Sequence, residues 1–303
     1  MSVRIASLHC YPLKSAHAVD LEQARLTRSG IAQDRRWMVV TPAGRFQTQR
    51  ELPRLALIRP SLSAGTLILG APGHTPLLLP LAAGGRAPTA ASARRVIIWK
   101  DACSGLDEGD EAARWLAAVL GRSVRLVRFD DRQARLAPRQ WSGAIAARTR
   151  FSDGFPLLVL AEASLAELNT RLTRALPMNR FRPNLVLEGL APYDEDRIHE
   201  LYDAHVCLRL VKPCARCVIT TTDQDSAERD GEEPLRTLRT FRYDAQLQGV
   251  TFGVNALIVR GTHASLRCGQ RLQVRWKDEA GAAGRSGSLD PATATSPATS
   301  PRR

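Results

Sequence analysis

Between residues 3 and 81 the chain is cut into short β-rich segments, each stopped by proline, glycine or a charged turn. Residues 3–11 alternate and then meet Pro12, which opens the loop Pro12-Leu13-Lys14-Ser15, and residues 19–26 run on to a turn at Gly30. Residues 34–40 form a strand led in by charges and return through Pro42-Ala43-Gly44 to residues 45–48 as a hairpin. Residues 55–60, 63–70 and 74–81 continue the series. Strands this short, this close and this regularly punctuated predict a small barrel or sandwich.

Residues 84–92 read as a surface loop and residues 95–100 as a further strand. One helix follows at residues 111–120, where Ala112, Trp115, Leu116, Val119 and Leu120 recur at helical spacing and Gly121 stops it. After a strand at 124–129, residues 130–150 are polar and basic enough to be a linker or mobile loop. A second β-rich half then opens with the turn 151–156 and the apolar strand 157–160. Ser164 is placed as the N-cap of a helix to residue 172, with Glu167 completing a capping box. Strands at 185–187, 206–211, 249–260 and 272–276 and a short basic helix at 234–241 complete the reading. The fold class is mainly β with some helix (α+β), divided into domains at 1–121 and 122–277. Residues 278–303 form a Gly/Ala/Ser/Thr/Pro-rich tail expected to be disordered.

The most chemical stretch is Lys212-Pro213-Cys214-Ala215-Arg216-Cys217. A Cys-x-x-Cys pair serves a zinc site, a dithiol redox centre or a thiolate ligand to a softer metal, and two inert packed thiols fit the bare motif equally well. The β-branched run after Cys217 argues against a helix opening at the motif, so the pair is placed on a loop between two strands. Zinc would need Cys207, Cys268, His205 or His263, none of which forms a second close pair. Lys212 and Arg216 supply charge that favours a thiolate and could hold a phosphate. Lysine is informative here, because the chain holds 39 Arg and 4 Lys, and two of the four, Lys14 and Lys212, lie in motif-like stretches.

The formal charge of +13 raises nucleic acid, but the arginines are scattered and aromatic residues make up 5% of the chain, so a generic basic surface is expected instead. Six irregularly spaced cysteines argue against a disulfide framework. With no long apolar run and no cleavable leader pattern, the expectation is a cytoplasmic protein without a membrane span.

Taken together, Tyr11-Pro12-Leu13-Lys14-Ser15, Asp34-Arg35-Arg36-Trp37, Phe181-Arg182-Pro183-Asn184 and the cysteine motif resemble, in the same chain order, the MOSC proteins with an N-terminal MOSC β-barrel domain. That family includes the mitochondrial amidoxime-reducing component and its bacterial relatives. The resemblance spans about residues 3–276 and implies an N-terminal β-barrel-like domain followed by a MOSC β-barrel. It further implies a molybdenum cofactor (Mo-molybdopterin) with Cys217 as catalytic residue and metal ligand. By the same matching, Lys14, Ser15, Arg35, Arg182, Asn184, Ala215 and Arg216 would contact the cofactor, with Gly154 and Phe155 contributing mainly backbone. Ala16 departs from relatives that carry a cysteine there.

The expected reaction is two-electron reduction of an N-hydroxylated base, amidoxime or hydroxylamine. Electrons would come from a separate flavin or iron-sulfur reductase, since no Rossmann-type glycine fingerprint is present. The alternative is a sulfur carrier for metal-sulfur cofactor assembly, holding a persulfide on Cys217. A third implication of the family is pyridoxal phosphate binding through a lysine such as Lys14.

Overall fold

The computed structural model describes residues 1–81, 93–229 and 231–278. Its larger sheet closes on itself. Leu157–Ala161, Leu185–Glu188, Ser2–Cys10, Arg271–Trp276, Ile198–Tyr202, Cys207–Ala215 and Gly249–Arg260 pair in that order, and Gly249–Arg260 pairs back onto Leu157–Ala161. The contact between Leu157–Ala161 and Leu185–Glu188 is parallel; the other contacts are antiparallel. Closure leaves no edge among these seven strands.

Alternation is what fills this barrel. In Ser2–Cys10 the inward residues are Val3 and Ile5, then Leu8 and Cys10. The change of phase falls at a register shift between Ile5 and Ser7, where an extra residue turns the strand over by one position. Leu157–Ala161 is buried throughout: Leu157, Val159 and Ala161 face the barrel core, while Leu160 joins Leu168, Phe181 and Phe252 beneath the helix Glu162–Thr170.

The first half builds its own sheets. Trp37–Val40, Arg125–Phe129, Asp101–Asp107 and Ala93–Ile98 form one, and Arg59–Ser63, Thr66–Ala71 and His74–Pro80 form a meander. The helix Asp110–Leu120 ends at Gly121 in the left-handed conformation, φ 68°. It packs Ala112, Leu116, Val119 and Leu120 against Leu67, Leu69, Leu77 and Leu79. The halves are interleaved in sequence. Ser2–Cys10 completes the barrel formed by strands of the second half, and Gln23–Thr27 pairs with Ser265–Arg267.

Several local expectations are corrected. Residues 130–150 are not a featureless linker: Arg135–Leu136 pairs with Arg148–Thr149 around the short helix Arg139–Ser142. Ala137, Trp141, Ile145 and Ala147 pack there on Phe155, Val211 and Leu257. The apolar residues are too few to show a period, and Leu136 among them stays exposed. Ser164 does not cap its helix, which begins at Glu162; its hydroxyl donates to Glu195 Oε2 at 2.7 Å and accepts the Tyr193 N–H at 2.8 Å. In place of a strand from residue 55, a 3₁₀ turn spans Pro53–Leu57. Cys214 belongs to the end of Cys207–Ala215, and the β-branched run after Cys217 is a 3₁₀ turn, Val218–Thr221. The loop expected at 84–92 and, beyond Asp278, the tail lie outside the described residues. Among the described residues no helix is long and apolar enough to cross a membrane.

Candidate active site

Three residues that are not glycine sit in the left-handed region around one cleft: Ser15 at φ 68°, Arg35 at 43° and Arg182 at 56°. Each such residue costs on the order of 1–2 kcal/mol, and such costs persist where surrounding structure enforces them. Here it does. The Lys14 N–H donates to the Trp37 carbonyl at 2.8 Å, the Arg35 N–H to the Tyr11 carbonyl at 2.8 Å, and the Phe151 N–H to the Arg35 carbonyl at 3.0 Å.

Tyr11, buried just past the strand Ser2–Cys10, has two guanidiniums against its ring: Arg35 at 4.2 Å and Arg182 at 4.3 Å from the ring centre. Its hydroxyl donates to the Pro183 carbonyl at 3.0 Å, and burial pushes the phenol well above its ordinary value. Arg35 Nη1 donates to Asp34 Oδ2 at 2.6 Å and to Asn184 Oδ1 at 3.0 Å. Arg182 Nη1 donates to the Ala16 carbonyl at 2.7 Å, and burial lowers this guanidinium to about 10. The Asn184 amide is fully engaged. Oδ1 accepts from Arg35 and the Leu158 N–H, and Nδ2 donates to the His9 carbonyl and Asp34 Oδ1. Its work in this arrangement is to hold Arg35 in place.

Lys14 is only 6% exposed. Its Nζ donates to the Phe151 carbonyl at 2.9 Å and to Asp153 Oδ1 at 2.6 Å. Burial pulls the ammonium below its ordinary value while Asp153 restrains the shift. On the carboxyl side desolvation acts upward, and the charge and hydrogen bond of Lys14, with the Trp99 hydrogen bond and the Arg50 charge, together outweigh it, leaving Asp153 below the usual carboxylate range. The loop that carries Phe151, Asp153, Gly154 and Phe155 is clamped by Arg135. That guanidinium donates to the carbonyls of Arg150, Ser152 and Asp153 at 3.0, 2.6 and 3.1 Å.

On the opposite wall, Cys217 Sγ accepts from Arg50 Nη2 at 3.0 Å and Cys214 Sγ accepts from Arg216 Nη1 at 3.0 Å. Lys14, Ser15, Arg35, Gly154, Phe155, Arg182, Asn184, Ala215, Arg216 and Cys217 all line this one open cleft, of about 860 Å³ counted out to solvent. Four sequence motifs far apart in the chain therefore meet.

Residues 2–123 match the model of the MOSC N-terminal beta barrel domain and residues 146–275 that of the MOSC domain. The mitochondrial amidoxime-reducing component 1 of Homo sapiens is 36% identical over 245 residues, covering 78% of this chain and 72% of its own. The chain belongs to the MOSC family. The mitochondrial amidoxime reducing component 2 of Rattus norvegicus is 35% identical over 248 residues (78% and 72% coverage), and component 1 of Xenopus laevis 32% over 261 residues (81% and 74%).

In this MOSC protein six cations, Lys14, Arg35, Arg50, Arg180, Arg182 and Arg216, and one carboxylate, Asp153, line the cleft among the described residues, with Asp34 and Asp223 paired behind Arg35 and Arg180. Two buried donors there, Arg180 Nε and Arg216 Nε, have no acceptor among the described residues. Among the described residues no three His, Cys, Asp or Glu side chains converge as a metal site. A metal that brings its own sulfur ligands asks the protein for one soft thiolate, with cations around its anionic remainder, and the donor set of the cleft fits that description.

Sequence reasoning missed four contributors. Arg50 and Arg180 carry no signal in a chain with 39 arginines. Gln49 and Gln224 form a buried reciprocal amide pair, at 2.9 and 3.1 Å, linking the two halves. Gln49 also donates to the Ser15 carbonyl at 2.7 Å, and Gln224 Oε1 accepts from Arg182 at 3.3 Å. Only the polar run Thr48-Gln49-Arg50-Glu51, between apolar segments, hinted at the first pair member.

Proposed function

We propose that this MOSC protein is an oxidoreductase that reduces N-hydroxylated compounds, such as amidoximes, with a molybdenum cofactor bound in the Cys217 cleft. The observation that carries the reading is the convergence of one thiol-bearing loop and six cations from both halves of the chain. When bound, the cofactor supplies the two-electron chemistry. The net reaction breaks the N–O bond, consumes two electrons and two protons, and releases the amidine or amine and water.

Cys217 would hold the metal as a thiolate, and Arg50 would keep that sulfur in place through its 3.0 Å contact. Lys14, Arg35, Arg182 and Arg216 would bind the anionic tail, where paired guanidiniums suit phosphate geometry. Tyr11 and Asn184 orient Arg35 and Arg182 before any ligand arrives, which lowers the entropy lost on binding. Ser15, Gly154, Phe155 and Ala215 complete the wall. Electrons would come from a separate flavin or iron-sulfur reductase.

The test is anaerobic reduction of benzamidoxime to benzamidine by the holoenzyme with a reduced viologen as donor. Cys217→Ala should abolish turnover. Turnover that survives Cys217→Ala contradicts the reading. A protein that purifies without molybdenum but with a persulfide on Cys217 replaces it with the sulfur-carrier role.

A further inference from the structure

Trp99 is 45% exposed, the one tryptophan among the exposed large apolar side chains of the described residues. It stands between the strands Ala93–Ile98 and Asp101–Asp107 at φ 54°, a conformation that disfavours a bulky side chain. Three contacts fix its ring. Nε1 donates to Asp153 Oδ1 at 3.1 Å, the Arg50 guanidinium lies 4.8 Å from the ring centre, and Phe46 packs at 5.1 Å with its plane tilted by 56°.

Both polar partners belong to the cleft. Arg50 holds Cys217, and Asp153 is the only carboxylate among the lining residues. Burial of apolar surface gives no reason to leave an indole in water, and holding it rigidly there adds backbone strain. The two donors to Asp153, Lys14 and Trp99, both meet Oδ1, and its side chain is 66% exposed, so carboxylate oxygen faces solvent beside the indole.

We propose that Trp99 and Asp153 form a docking corner at the cleft that selects flat, delocalised N-hydroxylated amidines over small hydroxylamines. The inference rests on the reductase reading above and names the residues that set its selectivity. An amidoxime is planar and conjugated with any ring it bears, so its skeleton lies against the indole while its amino group donates to Asp153. The corner binds and orients; the bonds broken and the electrons consumed are those of the reaction above.

The test compares parent, Trp99→Ala and Trp99→Phe holoenzymes on benzamidoxime and on hydroxylamine, with calorimetric titration of benzamidoxime onto the oxidised protein. Trp99→Ala should raise KM and Kd for benzamidoxime by about tenfold with kcat changed less than about twofold, the size of one lost aromatic contact. Selectivity for benzamidoxime over hydroxylamine should fall by about the same factor, and Trp99→Phe should recover most of it. Equal loss of kcat on both substrates, or an unchanged Kd, overturns the proposal. If the parent reduces neither substrate yet binds benzamidoxime through Trp99, the reductase reading fails and the docking corner stands. If the parent reduces both and binding ignores Trp99, the reverse holds.

Discussion

Arg50 donates from Nη2 to Sγ of Cys217 across 3.0 Å, joining residues 167 positions apart and from opposite halves of the chain. The first half is therefore more than a scaffold beside the barrel. Its loop 48–50 is held over the cysteine by Arg229, which donates to the Gln49 and Arg50 carbonyls at 2.6 and 3.0 Å.

Arg50→Gln removes the charged donor while leaving the loop bonds to its backbone. Molybdenum retention in the holoenzyme should weaken by about tenfold or more, because a hydrogen bond to a charged group contributes about 1.5–3 kcal/mol. The thermal midpoint should move by no more than about 4 °C. Metal content after timed dialysis against a chelator decides it; equal loss from parent and variant contradicts the role given to Arg50.

The Gln49–Gln224 pair is buried, and each amide satisfies the other. Gln49→Leu or Gln224→Leu alone leaves the remaining buried amide short of its partner's donor and acceptor and should cost about 1–3 kcal/mol. The double variant should lose clearly less than the sum of the two. Denaturant unfolding of the four proteins measures the coupling, and strict additivity would mean the amides do not act together.

Glu195 is 1% exposed, and burial raises its carboxyl to about 7, against help to the charged form from the Ser164 hydroxyl and backbone N–H groups. The folded protein therefore binds a proton that the unfolded chain releases near its ordinary value of 4.5. Stability from this group is fully present below that value and is lost as pH rises through 7, by about 3 kcal/mol for such a shift. Glu195→Gln should flatten this part of the profile. Parallel stability profiles for parent and variant between pH 4.5 and 8 would contradict it.

The short strands were legible because alternation is a local signal, and so was the helix Asp110–Leu120, whose apolar stripe and glycine stop lie within one window. The strand order that closes the barrel was not, since Ser2–Cys10 pairs with Leu185–Glu188 across most of the chain. Ser164 misled because Glu195, distant in sequence, takes its hydroxyl away from the helix end. For the site, the motif residues gather in one cleft, while the residues that brace them, Arg135, Gln49 and Gln224, act through backbone carbonyls and buried amides that leave no pattern. Trp99 escaped for a related reason: the strand before it was readable, and its position by Arg50 and Asp153 was not.

Metal analysis of the parent and of Cys217→Ala, both purified from a host that makes the cofactor, tests the central claim most directly. Molybdenum is expected at about one per chain in the parent and at little in the variant, because one soft thiolate anchors the metal. Molybdenum missing from the parent, or held equally by both proteins, would contradict it.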